Sequence, residues 1–208
     1  MRYLIVCGGK IDKEFGLNEI KTDGIDAIIA ADSGMDFLYE NGVTPDIIVG
    51  DFDSATTKAL EFFERKGQTE IHRLNPIKDD TDTEYAIRLA ISEGARSIVL
   101  LGATGSRIDH VLGNISLLGI GLESGTDISI IDTNNRIRMA DKPVTIEKSA
   151  QYGRFVSLIA LTDDNEVSLK GFKYPVTDYS FDRFTSLGIS NEIVDDHALI
   201  DIHRGKFI

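Results

Sequence analysis

Four short apolar runs in the first half of the chain constrain the fold most strongly. Residues 3–7, 27–31, 47–49 and 97–101 are almost entirely apolar, and glycine or aspartate follows each run at once. Continuous apolar runs of this length are typical of strands that are buried on both faces, as in a parallel sheet. Helix-like segments separate them, and this alternation predicts a doubly wound α/β domain.

Capping residues mark where the helices of this domain begin and end. We expect helices from Ser54 to about Lys66 with Gly67 as the stop, from Thr81 or Asp82 to Gly94, and onward from Asp109.

The pattern of the chain changes after about residue 126. One more strand is predicted at 127–131 and a turn at 133–135, and from there helix signals nearly vanish. Further strands are predicted at 155–161, 167–170, 198–202 and 206–208. The C-terminal third is therefore predicted to be a small antiparallel β-sandwich, and we place the domain boundary between residues 1–135 and 136–208.

Charge and cysteine content limit the classes of partner and location. The net charge of −12 argues against a nucleic-acid surface, which needs a basic footprint. It is compatible with a phosphate ester bound through a divalent cation, or with a cationic substrate. Cys7 is the single cysteine, the N-terminal run at 1–9 is too short for a signal-peptide core, and no stretch approaches the length of a membrane span. We therefore expect a soluble, cytoplasmic protein.

The segment GDFDS at 50–54 carries the first pair of acids. If the strand continues through it, the period of two points Asp51 and Asp53 the same way. Two adjacent carboxylates repel each other unless a proton or a cation lies between them, and oxygen-rich sites of this kind suit Mg²⁺. The alternative is that both are loop acids near a helix N-terminus.

Residues 79–84 form a second acidic segment, with four acids in six positions. One or two acids are explained as helix caps, but four are more than a cap requires. This segment is a candidate for further metal ligands.

Residues 102–110 follow a strong strand and open a helix. Backbone N–H groups in such a glycine-containing turn can bind phosphate, and Arg107 could add a bidentate contact. The segment is neither a P-loop nor a dinucleotide fingerprint, and an ordinary tight turn is the alternative.

Taken in order, these segments resemble the thiamine pyrophosphokinase family. The resemblance covers essentially the whole chain and rests on residues 31–34, 50–54, 79–82, 102–110, 171–175 and 188–192. One small departure is Ser33, where the family often has glycine.

The resemblance implies an α/β domain followed by a β-sandwich, assembled as a homodimer. It implies transfer of the pyrophosphoryl group of ATP to the hydroxyl of thiamine, with AMP as the second product. It also implies Mg²⁺ held by Asp51, Asp53 and Asp79, with Asp109 at the reaction centre and the thiamine site at the dimer interface.

The remaining site residues are assigned on the same resemblance. The residues expected to bind ATP are Asp32, Ser33, Gly34, Thr104, Gly105, Ser106, Arg107 and His110. The residues expected to bind thiamine are Asp82, Tyr174, Ser190 and Asn191. An aromatic ring at Tyr174 can stack on the aminopyrimidine and attract the thiazolium cation, and the two polar side chains suit the edge of the pyrimidine.

Three other functions are weighed against this one. A haloacid-dehalogenase-type phosphatase would use the Asp-x-Asp pair, but it leaves residues 79–84 and 102–109 without a role. A pyrophosphokinase for another alcohol, such as a pterin, would share the α/β domain. A non-catalytic nucleotide-binding module would not need the full set of acids.

Overall fold

The computed structural model describes residues 1–53, 55–75, 80–105 and 107–208. Within these residues the chain forms two compact units, Met1–Arg136 and Ile137–Ile208. The boundary predicted at residue 135, and the functional roles given to the two parts, remain predictions.

The first unit alternates strands and helices from end to end. Its strands are β1 (Arg2–Val6), β2 (Ala27–Ala31), β3 (Ile47–Gly50), β4 (Glu70–Arg73), β5 (Ser97–Leu101) and β6 (Asp127–Ile131), with β7 (Arg136–Arg138) beginning at its last residue. Its helices are α1 (Lys13–Ile20), α2 (Gly34–Glu40), α3 (Thr57–Lys66), α4 (Asp82–Ser92) and α5 (Ile108–Ser124).

The strands of this unit form a mostly parallel sheet in the order β4-β3-β2-β1-β5-β6-β7. Each neighbouring pair from β4 to β6 is parallel. The predicted doubly wound α/β domain is confirmed. The chain leaves β1 toward β2 on one side and returns at β5 on the other, which creates the switch point where open α/β sheets bind ligands.

All four apolar runs form strands within one residue of the predicted bounds. β4 was not predicted, because an edge strand with a half-exposed pattern carries no continuous apolar run. The helix expected from Ser54 begins instead at Thr57 with Thr56 as N-cap, and Ser54 itself lies outside the described residues. Gly67 ends that helix in the left-handed conformation, as predicted.

The N-cap of α4 is Thr81, one of the two predicted residues. Its side chain accepts a hydrogen bond from the Glu84 backbone N–H at 3.2 Å. This bond satisfies one of the free N–H groups at the start of the helix.

The second unit is built on an antiparallel sheet. Its strands are β8 (Val144–Glu147), β9 (Glu166–Lys170), β10 (Val176–Ser180) and β11 (His197–Arg204), in the order β10-β9-β11-β8, and a 3₁₀ turn spans Lys148–Ala150. The predicted antiparallel β organisation of the C-terminal part is confirmed.

Two predicted strands of this unit, 155–161 and 206–208, are not regular strands. In these described stretches Val156 bridges Asn191, and Ala160 bridges Phe207. Because the first segment changes partner along its length, no ladder grows beyond a single pair. Three of its apolar side chains, those of Val156, Leu158 and Ala160, still pack with those of the sheet in one buried cluster.

Among the described residues, no helix combines the length and the apolar character that crossing a bilayer requires.

Phe207 is the side chain whose loss should weaken the second unit most clearly. It is 2% exposed and packs edge-on against Phe181, with ring centroids 5.8 Å apart. Phe207→Ala should lower the free energy of unfolding by about 3–5 kcal/mol, because it leaves a cavity in the core. Chemical denaturation followed by circular dichroism measures this change.

The matched control is Phe184→Ala, since Phe184 is 89% exposed. It should change the unfolding free energy by no more than about 0.5 kcal/mol. Equal effects from the two substitutions would contradict the assignment of Phe207 to the core.

Candidate active site

Three carboxylates from two neighbouring strands meet at the carboxyl edge of the parallel sheet. Asp32 directly follows β2, while Asp51 and Asp53 follow β3. One carboxylate oxygen of each residue lies within 4.8 Å of those of the other two. The sequence predicted the pair but assigned Asp32 to the nucleotide. Asp32 lies beside the pair because β2 and β3 are parallel neighbours, with Ala31 opposite Val49 near the ends of the two strands.

Asp51 and Asp53 are brought together by a tight turn and not by the alternation of side chains along a strand. β3 ends at Gly50, and Phe52 has a left-handed backbone with φ +64°. The backbone N–H of Asp53 donates a hydrogen bond to Asp51 Oδ1 at 3.2 Å. The condition for strand alternation, that β3 continues through Asp53, is therefore not met, and both acids lie in a loop as in the alternative interpretation.

The surroundings of Asp32 raise the pKa of its carboxyl group. Burial raises the pKa of its carboxyl group, the backbone N–H of Ser33 opposes that shift, and the charges of Asp82, Asp51 and Asp53 raise the pKa further. Its Oδ1 atom is buried and has no hydrogen-bond partner among the described residues. An unsatisfied carboxylate oxygen beside two more carboxylates has the chemistry of a divalent-cation site. The cluster therefore fits Mg²⁺.

Two predicted site residues, Asp79 and Ser106, lie outside the described residues. Asp82 is the first residue of α4, and its charge contributes to the raised pKa of Asp32. The structure thus places Asp82 near the carboxylate cluster.

The loops after β1, β2 and β5 pack closely because glycine occupies the contact points. A Cβ on Gly8 would lie 2.1 Å from Ser33 Oγ, and one on Gly34 would lie 1.9 Å from the Val6 carbonyl oxygen. The Gly9 N–H donates to the Gly102 carbonyl at 2.9 Å. The acidic side of the site is thereby joined to the predicted phosphate loop.

Two residues of the predicted phosphate loop form an ion pair with each other. Arg107 Nη2 lies 2.7 Å from Asp109 Oδ2, and both side chains are largely exposed. The hydrogen bond from Arg107 is the main reason that the pKa of Asp109 is lowered. His110, also predicted, donates its backbone N–H to Asp109 Oδ1 at 3.0 Å. The guanidinium therefore already binds a carboxylate in the forked manner that also suits phosphate.

A cavity of about 450 Å³ lies beside this loop at the ends of β1, β5 and β6. Its lining is apolar on one part and polar on another, and consists of Lys10, Ile11, Asp12, Phe15, Leu101, Gly102, Thr104, Gly105, Ile131, Asp132, Thr133 and Asn134. Its volume lies in the range of small-molecule sites.

Asp132 fixes one wall of this cavity and was missed as a site residue. Its Oδ2 accepts a hydrogen bond from Thr104 Oγ1 at 2.7 Å, and its Oδ1 accepts the backbone N–H groups of Asn134 and Asn135. Burial acts to raise the pKa of Asp132, but these hydrogen bonds outweigh it and lower the pKa. The available signal was its position directly after a buried strand, which Asp32 shares.

In the second unit, Asn191 holds the backbone of Tyr174. Asn191 Oδ1 accepts the Tyr174 N–H at 3.1 Å, and Asn191 Nδ2 donates to the Tyr174 carbonyl at 2.9 Å. The Tyr174 ring itself is 60% exposed, with Lys173 Nζ 5.4 Å from its centroid. Ser190 has φ +62° and donates its N–H to Ser157 Oγ at 3.0 Å.

Cys7 directly follows β1, near the carboxyl edge of the parallel sheet, but its thiol is not suited to act as a nucleophile. Complete burial raises the pKa of its thiol to about 11, although a hydrogen bond from Thr83 opposes the shift. The thiol therefore stays protonated and inert at neutral pH.

Comparison with known proteins decides the family. The catalytic-domain model of thiamin pyrophosphokinase matches residues 21–130, and the model of its vitamin B1 binding domain matches residues 143–206. The chain belongs to the thiamine pyrophosphokinase family. The resemblance found in the sequence is confirmed, and with it the class of the protein, a kinase and thus a transferase.

Individual members of this family are similar along almost the whole chain. The thiamine pyrophosphokinase of Bacillus subtilis (strain 168) is 34% identical over 182 residues, which span 86% of this chain and 84% of the relative. A crystal structure of the B. subtilis enzyme superposes with a TM-score of 0.88 at 31% identity and covers 100% of this chain and 96% of its own. The Geobacillus thermodenitrificans enzyme gives 0.86 at 30% identity, with 100% and 95% covered.

Neutralising Asp32 should stabilise the metal-free protein in a pH-dependent way. Because folding raises the pKa of this carboxyl, its charge costs stability above the raised pKa, and the cost vanishes below the ordinary value of about 3.9. In a chelator at neutral pH, Asp32→Asn should raise the melting temperature by no more than about 4 °C, since solvent screens a half-buried group. Asparagine also tolerates the φ of +47° found here.

The difference from the wild type should shrink as the pH falls through the raised pKa toward the ordinary value of about 3.9, below which Asp32 is protonated in both the folded and the unfolded state. Asp23→Asn, at an exposed position, serves as the control and should show no such trend. A difference that grows in acid would contradict the assignment.

Proposed function

We propose that the chain transfers the pyrophosphoryl group of ATP to the hydroxyl of thiamine, giving thiamine diphosphate and AMP. The observation that carries this proposal is the cluster of Asp32, Asp51 and Asp53 on the same sheet edge as the Arg107–Asp109 loop. Family membership supports the choice of reaction.

The proposed cofactor is Mg²⁺, with Asp51, Asp53 and Asp79 as ligands from the sequence and Asp32 added by the geometry. Bound Mg²⁺ supplies charge neutralisation and orientation of the phosphate oxygens. The unpartnered Oδ1 of Asp32 supports this assignment. Such a cation also explains how an acidic protein accepts an anionic substrate.

ATP is proposed to lie along the sheet edge from the cavity to the acids. The nucleoside would occupy the cavity, where Ile11 and Phe15 offer apolar contacts and Lys10 offers a positive charge. The phosphates would contact the loop at Thr104, Gly105, Ser106, Arg107 and His110, and the segment Asp32, Ser33 and Gly34. Attack at a phosphorus needs alignment and charge stabilisation more than covalent help, and these groups can provide both.

Thiamine is proposed to bind at Tyr174, Ser190 and Asp82 in a homodimer located in the cytoplasm. Asn191, which is buried and bonded to the Tyr174 backbone, would position Tyr174 for this contact. The exposed ring of Tyr174 supports a stacking role. Lys173 beside that ring indicates that the face already accommodates a cation, as the thiazolium would require. In the homodimer, each copy would complete the site of the other.

The central test is incubation with ATP, Mg²⁺ and thiamine, followed by separation of AMP and thiamine diphosphate. Asp51→Asn should lower turnover by at least on the order of a hundredfold, because it removes a carboxylate proposed to hold the metal ion that neutralises the phosphates. Circular dichroism should show that the variant keeps its fold.

The matched control is Asp195→Asn, an exposed acid of the second unit. It should keep wild-type turnover. Release of free phosphate in place of AMP would indicate a phosphatase, and turnover with a pterin alcohol but not thiamine would indicate a different acceptor.

The shared-site arrangement is tested by mixing two variants that are impaired in different parts of the site. Tyr174→Ala should raise the KM for thiamine about twofold to thirtyfold, the equivalent of 0.5–2 kcal/mol, with little effect on ATP. Mixing it with Asp51→Asn should restore part of the lost activity, because a heterodimer holds one site with both defects and one with neither. A fully active monomer at assay concentration would refute the arrangement.

A further inference from the structure

Phe52 occupies a backbone conformation that is unfavourable for a bulky residue. Its φ of +64° lies in the left-handed region, which residues other than glycine, asparagine and aspartate rarely adopt. Such a conformation persists only where the surroundings enforce it, and it is concentrated at functional sites. Phe52 separates the two acids of the carboxylate cluster, so its conformation sets their spacing.

Contacts on several sides of the Phe52 ring enforce this conformation. The ring packs against the apolar cluster beneath β2 and β3. A Cβ on Gly50 would lie 3.2 Å from the ring atoms, so the ring lies directly over the end of β3. The guanidinium of Arg73 lies 5.4 Å from the ring centroid, a cation–π distance, and Arg73 also forms an ion pair with Glu64 of α3.

Electrostatics explains why the acids need such an anchor. Without a cation, the three carboxylates repel one another, and this repulsion favours opening of the turn. The half-buried ring opposes that opening, because turning it out would expose apolar surface and break its contact with Arg73.

We propose that Phe52 is a positioning residue for the metal ion: its anchored ring holds the left-handed turn that places Asp51 and Asp53 beside Asp32. Arg73 acts through the ring by covering its face. This inference rests on the proposed function, because it takes the carboxylate cluster as the Mg²⁺ site. Phe52 touches neither substrate nor metal in this role.

A glycine at position 52 separates anchoring from conformational preference. Phe52→Gly removes the ring yet adopts a positive φ without strain. If the dihedral angle alone mattered, glycine would preserve the site. If the ring is the anchor, glycine should weaken it, and Phe52→Tyr, which retains the ring, should behave like the wild type.

The experiment is titration with Mn²⁺ in the absence of nucleotide, with free Mn²⁺ measured by electron paramagnetic resonance. Phe52→Gly should bind Mn²⁺ about tenfold to a hundredfold more weakly, as residues that orient metal ligands commonly do when replaced. The Mg²⁺ concentration for half-maximal activity should rise by a similar factor, while kcat at saturating Mg²⁺ recovers. A residue needed only for folding would not produce this split.

The chain offers a matched control in Phe62 and Lys66 of α3. Phe62 is 40% exposed, and Lys66 Nζ lies 5.9 Å from its ring centroid, so it is an aromatic ring with a stacked cation outside the carboxylate cluster. Phe62→Ala and Lys66→Ala should leave Mn²⁺ binding unchanged. Arg73→Ala should weaken it in the direction of Phe52→Gly, and it decides the question if Phe52→Gly does not fold.

Two results would overturn the inference. The first would refute only the role of Phe52, and the second would also refute the proposed metal site. Wild-type Mn²⁺ affinity in Phe52→Gly and Arg73→Ala, together with loss of binding in Asp51→Asn, would refute the anchor and leave the proposed metal site standing. Unchanged Mn²⁺ binding in Asp51→Asn would refute the metal site itself, and the anchor with it.

Discussion

The site depends on backbone segments that approach closer than any side chain would allow. A Cβ at position 34 would lie 1.9 Å from the Val6 carbonyl, and one at position 9 would lie 2.2 Å from the Gly102 carbonyl. Backbone atoms cannot rotate away as a side chain does, so larger residues would separate the loops. The parallel sheet places the acids after β2 and β3 on the same edge as the loop after β5, and these close contacts let the loops pack together there.

Burial on both faces of the sheet made much of the first unit predictable. The runs that form β1, β2, β3 and β5 are apolar because helices cover both sides of a central strand. At the edge that rule fails, and Glu70 and His72 in β4 carry no apolar signal. In the second unit, the apolar pattern at 155–161 correctly indicated a segment that contributes side chains to the core. It could not reveal that its partners change from residue to residue.

Residue type predicted the chemistry of the site better than its geometry. Asp51 and Asp53 were identified because two acids after a buried strand are unusual, but the turn between them was not visible in the sequence. Asp32 joins them through the register of β2 on β3, which is a tertiary property. The bond from Thr104 to Asp132 spans 28 positions and likewise has no local signature.

The hydrogen bonds of Asn191 hold the backbone at position 174 independently of the Tyr174 side chain. Asn191 fixes both backbone groups of residue 174, so the local fold does not depend on the side chain that residue 174 carries. Any residue with a backbone N–H can satisfy those bonds, and the exposed ring of Tyr174 takes no part in them. Position 174 can therefore change during evolution at small cost in stability, because the hydrogen bonds that hold its backbone do not involve its side chain.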